Sequence, residues 1–479
     1  MKRTKIICTL GPSCNNEKTI KALLTNGMNV ARFNMSHGDH EEHLGRINLV
    51  KQAREELNMP VSLLLDTKGP EIRLKDFKEG SVVLEEGQEF TITSEDILGD
   101  ITRVSVTYSN LPKEVKPGSK ILIDDGKVEL KVIENDDVNI KCKVMNSGKI
   151  SNHKGVNVPT VHLNMPYLSD VDKSDLLFGI EQDVDYIAAS FIRNQEDVLS
   201  IRSFLDENGG DKIKIIAKIE NQEGIDNFDE ILEHVSGIMV ARGDMGVEVD
   251  FEKLPGIQKR FITKCCLAGK IVITATQMLE SMINNPSPTR AEISDVANAV
   301  FDGTSAIMLS GETANGKYPV ETVKVMNRIA TRAEKDAFEL DSYDSILPKT
   351  LRGDATLAIS HATYTTARDL KAKAIITVSQ SGITARRIAR FRPEEVIVCA
   401  TPFKKTYNQL ALAWGVNPVM SKMQTTSDDL LNHAIACAKE NKFVKDGDTV
   451  VLTAGVPLGV SGNTNLLKVA VVGEGNEQK

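Results

Sequence analysis

Eight short apolar runs alternate with longer amphipathic stretches, and this alternation constrains the fold more than any other feature. The runs are 5–11 (KIICTLG), 28–38, 61–69, 185–193, 213–221, 237–246, 271–279 and 305–313 (SAIMLSGET). Most begin near-continuously apolar, as parallel strands buried on both faces must, and most end polar or glycine-rich. Helix-length segments such as Glu41 to Asn58 and Asn194 to Glu207 fill most of the gaps. Eight β-α units in succession specify a (β/α)8 TIM barrel, whose catalytic groups gather at the C-terminal ends of its strands.

Two regions break the pattern. Between Lys68 and Asp185, segments such as VVLEEGQEFTITS and KILIDDGKVELKVIE alternate polar and apolar around Gly, Asp and Asn turns. They predict a small antiparallel β domain inserted after the third strand. After about residue 345, SYDSILPKTLRGDA reads as a linker, and the runs AKAIITVSQSG, EVIVCATP, NPVMS and DTVVLTAGV predict a C-terminal, doubly wound α/β domain. The expected divisions are 1–69 and 168–345 for the barrel, 70–167 for the insert and 346–479 for the C-terminal domain.

Composition removes several function classes. A net charge of -8, without a basic stripe interleaved with aromatics, argues against nucleic acid as a partner. No run approaches the roughly 18 to 20 apolar residues of a membrane span. The N-terminal apolar stretch is too early and too short for a signal peptide and reads as a first strand. The seven cysteines, Cys8, Cys14, Cys142, Cys265, Cys266, Cys399 and Cys437, include no C-x-x-C pair. They suit free thiols in a reducing compartment, not disulfides or zinc.

The strongest chemical signal lies in the fifth and sixth runs. KIIAKIENQEG sets Lys218 and Glu220 on one face of a strand. VARGDMG sets Asp244 in a glycine-flanked turn. Two carboxylates from neighbouring strand ends suit Mg²⁺ or Mn²⁺, and Lys218 beside them suits a transferring phosphoryl group. The bland alternative is a structural ion pair at a barrel end.

In the second run, Arg32 offers a planar fork for phosphate, with Asn34 and Ser36 alternating onto its side. The third run adds Asp66 and Thr67. These oxygens fit either an oxygen cage for a hard cation or simple turn capping. The seventh run places Thr274 and Thr276 on one face. Thr276 and Ser310 are hydroxyls able to bind an oxyanion or relay a proton, although a strand threonine is usually packing. SQSGITAR (379–386) fits a phosphate at a helix N-terminus or an ordinary N-cap; it lacks the lysine of a P-loop. His37, His40 and His43 are expected on a solvated helix face and not at a metal.

Together these motifs resemble the pyruvate kinase family. The matching segments run in family order along the whole chain: TLGPS, ARFNMSHG, LLDTKGPEIR, DDG, KGVNVP, AASFIR, AKIENQEGIDN, VARGDMGVE, ITATQMLESM and PTRAEISDVANAVFDGTSAIMLSGETA. The resemblance implies a barrel, an inserted β-barrel lid and a C-terminal regulatory domain. It implies cytoplasmic phosphoryl transfer from phosphoenolpyruvate to ADP. Lys218 resembles the transition-state stabiliser and Arg32 the phosphoryl clamp. Thr276 resembles the carboxylate binder, working with backbone N–H groups near Gly243 and Asp244. Glu220 and Asp244 resemble the Mg²⁺ ligands. Asn34, Ser36, Asp66 and Thr67 resemble a K⁺ site, which favours the cage reading. Asn34, Met35, Ser36, His37, Arg73 and Lys154 resemble nucleotide contacts. Ser379, Ser381, Gly382 and Thr384 resemble an effector's phosphate loop, with 453–464 closing over it and fructose 1,6-bisphosphate as the leading ligand. Gln380 is neutral where some members carry an acidic side chain. A homotetramer is implied too.

The family's usual GVNLPG is here GVNVPT, with Val158 and Thr160 at the lid edge. An extra phosphohistidine-type domain, carried by some bacterial members, is expected to be missing. The competing readings are a carbon–carbon lyase with metal-stabilised enolate chemistry, which needs no nucleotide site, and an inactive sugar-phosphate sensor.

Overall fold

The computed structural model describes residues 2–159, 161–347, 354–457 and 463–474. Thr160 therefore lies outside the described residues, as do parts of the 342–355 segment and of the 453–464 loop.

All eight apolar runs form strands, β1 (Lys5–Thr9), β2 (Val30–Asn34), β3 (Ser62–Asp66), β4 (Tyr186–Ala189), β5 (Lys214–Ile219), β6 (Gly237–Ala241), β7 (Ile271–Ala275) and β8 (Ala306–Leu309). They pair in parallel and close into a barrel in the order β1-β8-β7-β6-β5-β4-β3-β2. Nearly every strand residue is buried, because alternate side chains enter the barrel while the others meet the surrounding helices. Ile7, Val30, Leu64, Ile216, Met239, Ile273 and Met308 pack together in one apolar cluster. Truncating such a residue, for example Met239→Ala, would cost about 2–5 kcal/mol.

The helices follow local signals. Helix α1 (His40–Glu56) starts where the Asp39 side chain accepts from the Glu42 N–H. Helix Arg290–Phe301 starts on a capping box of Thr289 and Glu292. Two further helices bear on function. Helix α2 (Arg242–Glu248) directly follows β6, and helix α3 (Ile383–Ala389) opens on Gly382.

The insert forms two sheets around a shared core that includes Phe90, Ile92, Leu130 and Ile140. Six strands pair in the order 156–157, 120–123, 128–135, 139–144, 89–93 and 103–105, and 148–151 pairs with 81–84. All of these pairs are antiparallel except 89–93 with 103–105, which is parallel. The 128–135 strand buries alternate residues over its first half, the period-two pattern of a one-faced sheet.

The C-terminal layer holds β9 (Ala374–Val378), β10 (Val396–Thr401), β11 (Val416–Met420), β12 (Thr449–Ala454) and β13 (Leu466–Val471), in the order β11-β10-β9-β12-β13. Only β13 is antiparallel. The loops after β9 and β12 flank the point where strand order reverses, the usual ligand crevice of such sheets. This layer closes the barrel's N-terminal end. Leu412 joins the barrel's interior cluster, and helix α4 (Lys404–Gln409) is tied beneath the strands. Ser62 donates to the Asn408 carbonyl (2.6 Å) and Tyr186 to the Gln409 carbonyl (2.8 Å). With that end sealed, chemistry is left to the C-terminal end, which the insert faces.

Two expectations are corrected. The first part of the expected linker is packed structure: Ser342–Ile346 forms a 3-10 turn, and Tyr343 is buried edge-on against Trp414. Of the three histidines only His37 is exposed, so the expected solvated face holds in part. His43 is 2% exposed and bonds the His37 carbonyl (2.8 Å), while His40 stacks on Phe178 and bonds Asp175 (2.7 Å). Polar neighbours in sequence concealed aromatic partners distant in sequence. Among the described residues no helix is long and apolar enough to cross a membrane. All seven cysteines are free and buried.

Candidate active site

The ends of β3, β4 and β5 bring one buried polar cluster together. Lys218 projects from β5, and its ammonium lies 3.0 Å from Asp66 Oδ1, 3.0 Å from Glu220 Oε1 and 2.7 Å from Ser190 Oγ. Arg32, in the middle of β2, donates from Nε to Asp66 Oδ2 (2.7 Å) and from Nη1 to Thr9 Oγ1 (2.8 Å). Asp66 thus sits between two cations, each held on a different strand.

The electrostatics follow from burial. Burial alone would lower the Lys218 pKa, but Asp66 and Glu220 outweigh it and hold the ammonium above its usual range. Burial would raise Asp66, yet Arg32 and Lys218 hold it below the ordinary carboxylate value. Glu220 goes the other way: burial pushes it up to about 7 despite Lys218, with Asp244 adding repulsion. Asp244 is raised by burial, against the pull of Lys218 and with help from Asp125. Glu220 Oε2 accepts from the Phe191 N–H (2.6 Å). Its Oε1 is near Lys218 but outside hydrogen-bond geometry, and so is buried without a hydrogen-bond partner. A carboxylate pair that burial makes costly to ionise, with one oxygen that takes part in an ion pair but accepts no hydrogen bond, fits a hard divalent cation. Among the described residues no three His, Cys, Asp or Glu side chains form one metal-holding group. A cation here would therefore complete its shell with substrate oxygens and water.

Three details differ from the sequence expectations. Asp244 lies in the first turn of helix α2 and not in a loop. Thr276 falls beyond β7 with φ 68°, so strand alternation does not reach it. Thr274 is buried within the barrel wall, 3.0 Å from Thr304 Oγ1, as a packing residue. Thr276 Oγ1 accepts from the Gly243 N–H (2.9 Å) and donates to the Ala275 carbonyl (2.6 Å). Arg242 braces this turn by donating to the Thr276 carbonyl (2.5 Å) and pairing with Asp295. Ser310 lies at the N-cap of the turn after β8, its N–H donating to Glu312 (2.6 Å).

Asn34 and Asp66 are register partners on β2 and β3, and the Met35 N–H donates to the Asp66 carbonyl (2.9 Å). Asn34, Ser36, Asp66 and Thr67 therefore gather at adjoining strand ends. Turn capping is present too, since Asn34 Oδ1 accepts from the Ser36 N–H (3.2 Å). The only formal negative charge in this set, Asp66, is already balanced by Arg32 and Lys218.

A cavity of about 710 Å³ lies between insert and barrel. His37, Arg73, Lys154, Asp124 and Asp244 are among its lining residues. Arg73 pairs with Glu71 (2.6 Å), and Lys154 with Asp124 (2.9 Å). Asn157 reaches across from the insert to Glu248 on helix α2 (2.9 Å). Asn34, Met35 and Ser36 adjoin this cavity without lining it, and the Met35 side chain is buried in the core, which leaves only its backbone for a ligand. Val158 is likewise buried in the insert's core.

Sequence reasoning missed Ser190, Phe191 and Thr9. Ser190 links Lys218 to the Thr67 carbonyl (2.6 Å), and Phe191 holds φ 55° while its N–H orients Glu220. A serine or phenylalanine after a strand carries no catalytic signature; only the three-dimensional contact reveals it.

In the C-terminal layer, Gly382 has φ 74° and its N–H donates to Ser379 Oγ (3.0 Å). Thr384 meets Thr464 of the following loop (2.8 Å). Thr406 donates to the Gln380 carbonyl (2.7 Å), and Arg386 to the Ser381 carbonyl (3.3 Å). The two segments expected to enclose an effector are adjacent here; residues 458–462 of the closing loop lie outside the described residues.

Comparison with known proteins agrees with this architecture. Residues 1–323 match the family model "Pyruvate kinase, barrel domain", and residues 357–470 match "Pyruvate kinase, alpha/beta domain". A pyruvate kinase of Clostridium acetobutylicum is 51% identical over 476 residues, covering 98% of this chain and 100% of that one. One from Staphylococcus epidermidis is 50% identical, covering 99% of this chain and 81% of that one. A crystal structure of a pyruvate kinase from Cryptosporidium parvum superposes with a TM-score of 0.93 at 41% identity, covering 98% of this chain and 96% of that one.

Proposed function

The chain belongs to the pyruvate kinase family and so transfers the phosphoryl group of phosphoenolpyruvate to ADP, giving pyruvate and ATP in the last step of glycolysis; from that premise we propose how its own residues divide the work. The family is metal-dependent. Here Glu220 and Asp244 are the ligands for Mg²⁺ or Mn²⁺. Such an ion supplies charge neutralisation at the substrate's oxygens when bound. The raised carboxyls and Glu220 Oε1, which accepts no hydrogen bond, support this assignment.

Lys218 stabilises the charge that develops on the transferring phosphoryl group. The supporting observation is its position: a buried ammonium, kept charged by Asp66 and Glu220, within a rigid cluster. Arg32 clamps the phosphoryl group with what its guanidinium has left after Asp66 and Thr9. Thr276, with the N–H groups of Gly243 and Asp244, holds the substrate carboxylate, which exchanges for the bond now joining Gly243 to Thr276. Little covalent work falls to the protein; positioning and charge carry the reaction.

His37, Arg73 and Lys154 contact the ADP phosphates, with the backbone of Asn34, Met35 and Ser36 completing that wall. K⁺ binds among Asn34, Ser36, Asp66 and Thr67. A set with one already balanced carboxylate suits a weakly hydrated monovalent ion better than a second divalent one. Ser379, Ser381, Gly382 and Thr384 take the phosphate of a sugar-phosphate effector, with fructose 1,6-bisphosphate first among candidates. The enzyme works in the cytoplasm as a homotetramer. Residues 1–69 and 168–345 form its barrel, 70–167 its lid and 346–479 its regulatory domain.

A coupled assay tests the reading. Pyruvate should form from phosphoenolpyruvate only when ADP and a divalent cation are both present. Pyruvate release independent of ADP would point to lyase-type enolate chemistry, and no turnover at all to a sensor.

A further inference from the structure

Where the barrel's N-terminal end meets the C-terminal layer there is a cavity of about 20 Å³. Four basic side chains line it: Lys270 just before β7, Arg386 from helix α3, Arg390 at that helix's C-cap, and Arg392. Among the described residues no Asp or Glu lines it. Among the described residues, none of the four has a carboxylate within the 4.0 Å of an ion pair. This is unusual in a chain whose net charge is -8.

Their hydrogen bonds go mainly to backbone carbonyls, which leave the charge uncompensated. Lys270 donates to the Val235 carbonyl (2.6 Å), Arg386 to that of Ser381 (3.3 Å), and Arg392 to those of Ala389 and Gly303 (both 2.7 Å). Three donors around the cavity are buried with no hydrogen-bond partner among the described residues: Arg390 Nε, Arg392 Nε and Trp414 Nε1. Arg392 is 5% exposed and Trp414 2%. Each unsatisfied donor is costly, and all three are of the same kind. Burial lowers the pKa of Lys270, Arg386 and Arg390, with Arg386 repelling Lys270 and Arg387 repelling Arg386 and Arg390. The carboxylates that offset this, Glu233 at Lys270 and Asp354 at Arg390, act from beyond ion-pair range.

Cations without counter-charges, donors without acceptors and a small cavity call for an anionic acceptor. We propose that this cavity binds a compact inorganic anion of chloride size, held by Lys270, Arg386, Arg390, Arg392 and the Trp414 N–H. The volume is near that needed for one water, so a sugar ring is excluded. A water could satisfy the donors but not the charge. The site is separate from the substrate cavity and lies at the junction of the barrel with the C-terminal layer, so the anion would fasten the two together.

The test holds K⁺ and ionic strength constant and exchanges gluconate for chloride. Wild-type Tm should rise by about 2 °C when chloride is tenfold above half-saturation. Arg390→Gln should melt higher than wild type in gluconate, because repulsion is relieved, and should lose the chloride response. Lys270→Met is the second variant, with the same expectation. Crystals soaked in bromide should give an anomalous peak within hydrogen-bond distance of Arg392 or Trp414. Parallel chloride responses in wild type and both variants would overturn the proposal, and so would a water in the cavity at saturating bromide.

Discussion

Replacing Lys218 by Met keeps the apolar stem and removes the charge that joins Asp66, Ser190 and Glu220. Losing one preorganised electrostatic donor typically lowers turnover about 10²- to 10³-fold, equivalent to about 2.7–4 kcal/mol in the barrier. The KM for phosphoenolpyruvate should change far less, since Arg32 and the divalent ion still hold the phosphoryl group. Removing one partner of a buried ion pair ordinarily costs about 3–5 kcal/mol of stability. Here the loss should be about 1–3 kcal/mol, for two reasons tied to the site. Asp66 keeps Arg32 at 2.7 Å, and Glu220, already pushed up to about 7, escapes an unpaired buried charge by taking a proton. Steady-state kinetics of pyruvate formation, with a thermal melt as the control for folding, measure both effects. A folded Lys218→Met enzyme keeping more than about a tenth of wild-type turnover would refute the assigned role.

Three further outcomes are expected. Activity should be low without Na⁺ and K⁺, rise strongly with a potassium salt, and stay low with tetramethylammonium at matched ionic strength; Glu71→Lys should reduce the K⁺ requirement, and equal activity with and without K⁺ would remove the cation from Asn34, Ser36, Asp66 and Thr67. A panel of sugar phosphates should include one that raises the Tm of wild type but not of Thr384→Ala, and no shift with any member would end the effector reading. Asp185 is pushed up to about 6 by burial, against Lys405 and the Leu63 N–H, from about 3.9 when unfolded. Because the folded value is the higher one, stability should fall as pH rises from about 4 through about 6 and then level off, by at most about 3 kcal/mol. Asp185→Asn should remove that part of the slope, and identical pH profiles of melting for the two proteins would contradict the shift.

The barrel was legible because its strands are buried on both faces and write continuous apolar runs. The insert was legible for the opposite reason: residues 128–144 alternate, as one-faced sheets do. Lys218 and Glu220 were readable as a pair because period two fixes their common face, and the ion pair at 3.0 Å follows from it. The same rule failed at Thr276, where positive φ ends the alternation, and at Asp244, where a helix begins sooner than the glycines imply. Ser190, Phe191 and Thr9 were illegible because their roles arise from neighbours on other strands. His40 is not simply solvated because Phe178 and Asp175 approach it from a helix more than a hundred residues away, and His43 is buried on the His37 carbonyl. Local pattern reports what a residue's own strand or helix does, and cross-strand chemistry escapes it.

Phosphoryl transfer here requires Glu220 and Asp244 to hold one divalent cation beside Lys218. Mn²⁺ binding, followed by electron paramagnetic resonance in the presence of phosphoenolpyruvate, tests this without relying on turnover. Wild type should bind one Mn²⁺ tightly per chain, and Glu220→Gln and Asp244→Asn should each weaken it severalfold or more, since a neutral amide is a poorer ligand for a hard cation. Both variants should melt near wild type, because their side chains lie at the functional end of the barrel. Unchanged Mn²⁺ titrations in both variants would contradict the assignment of the site.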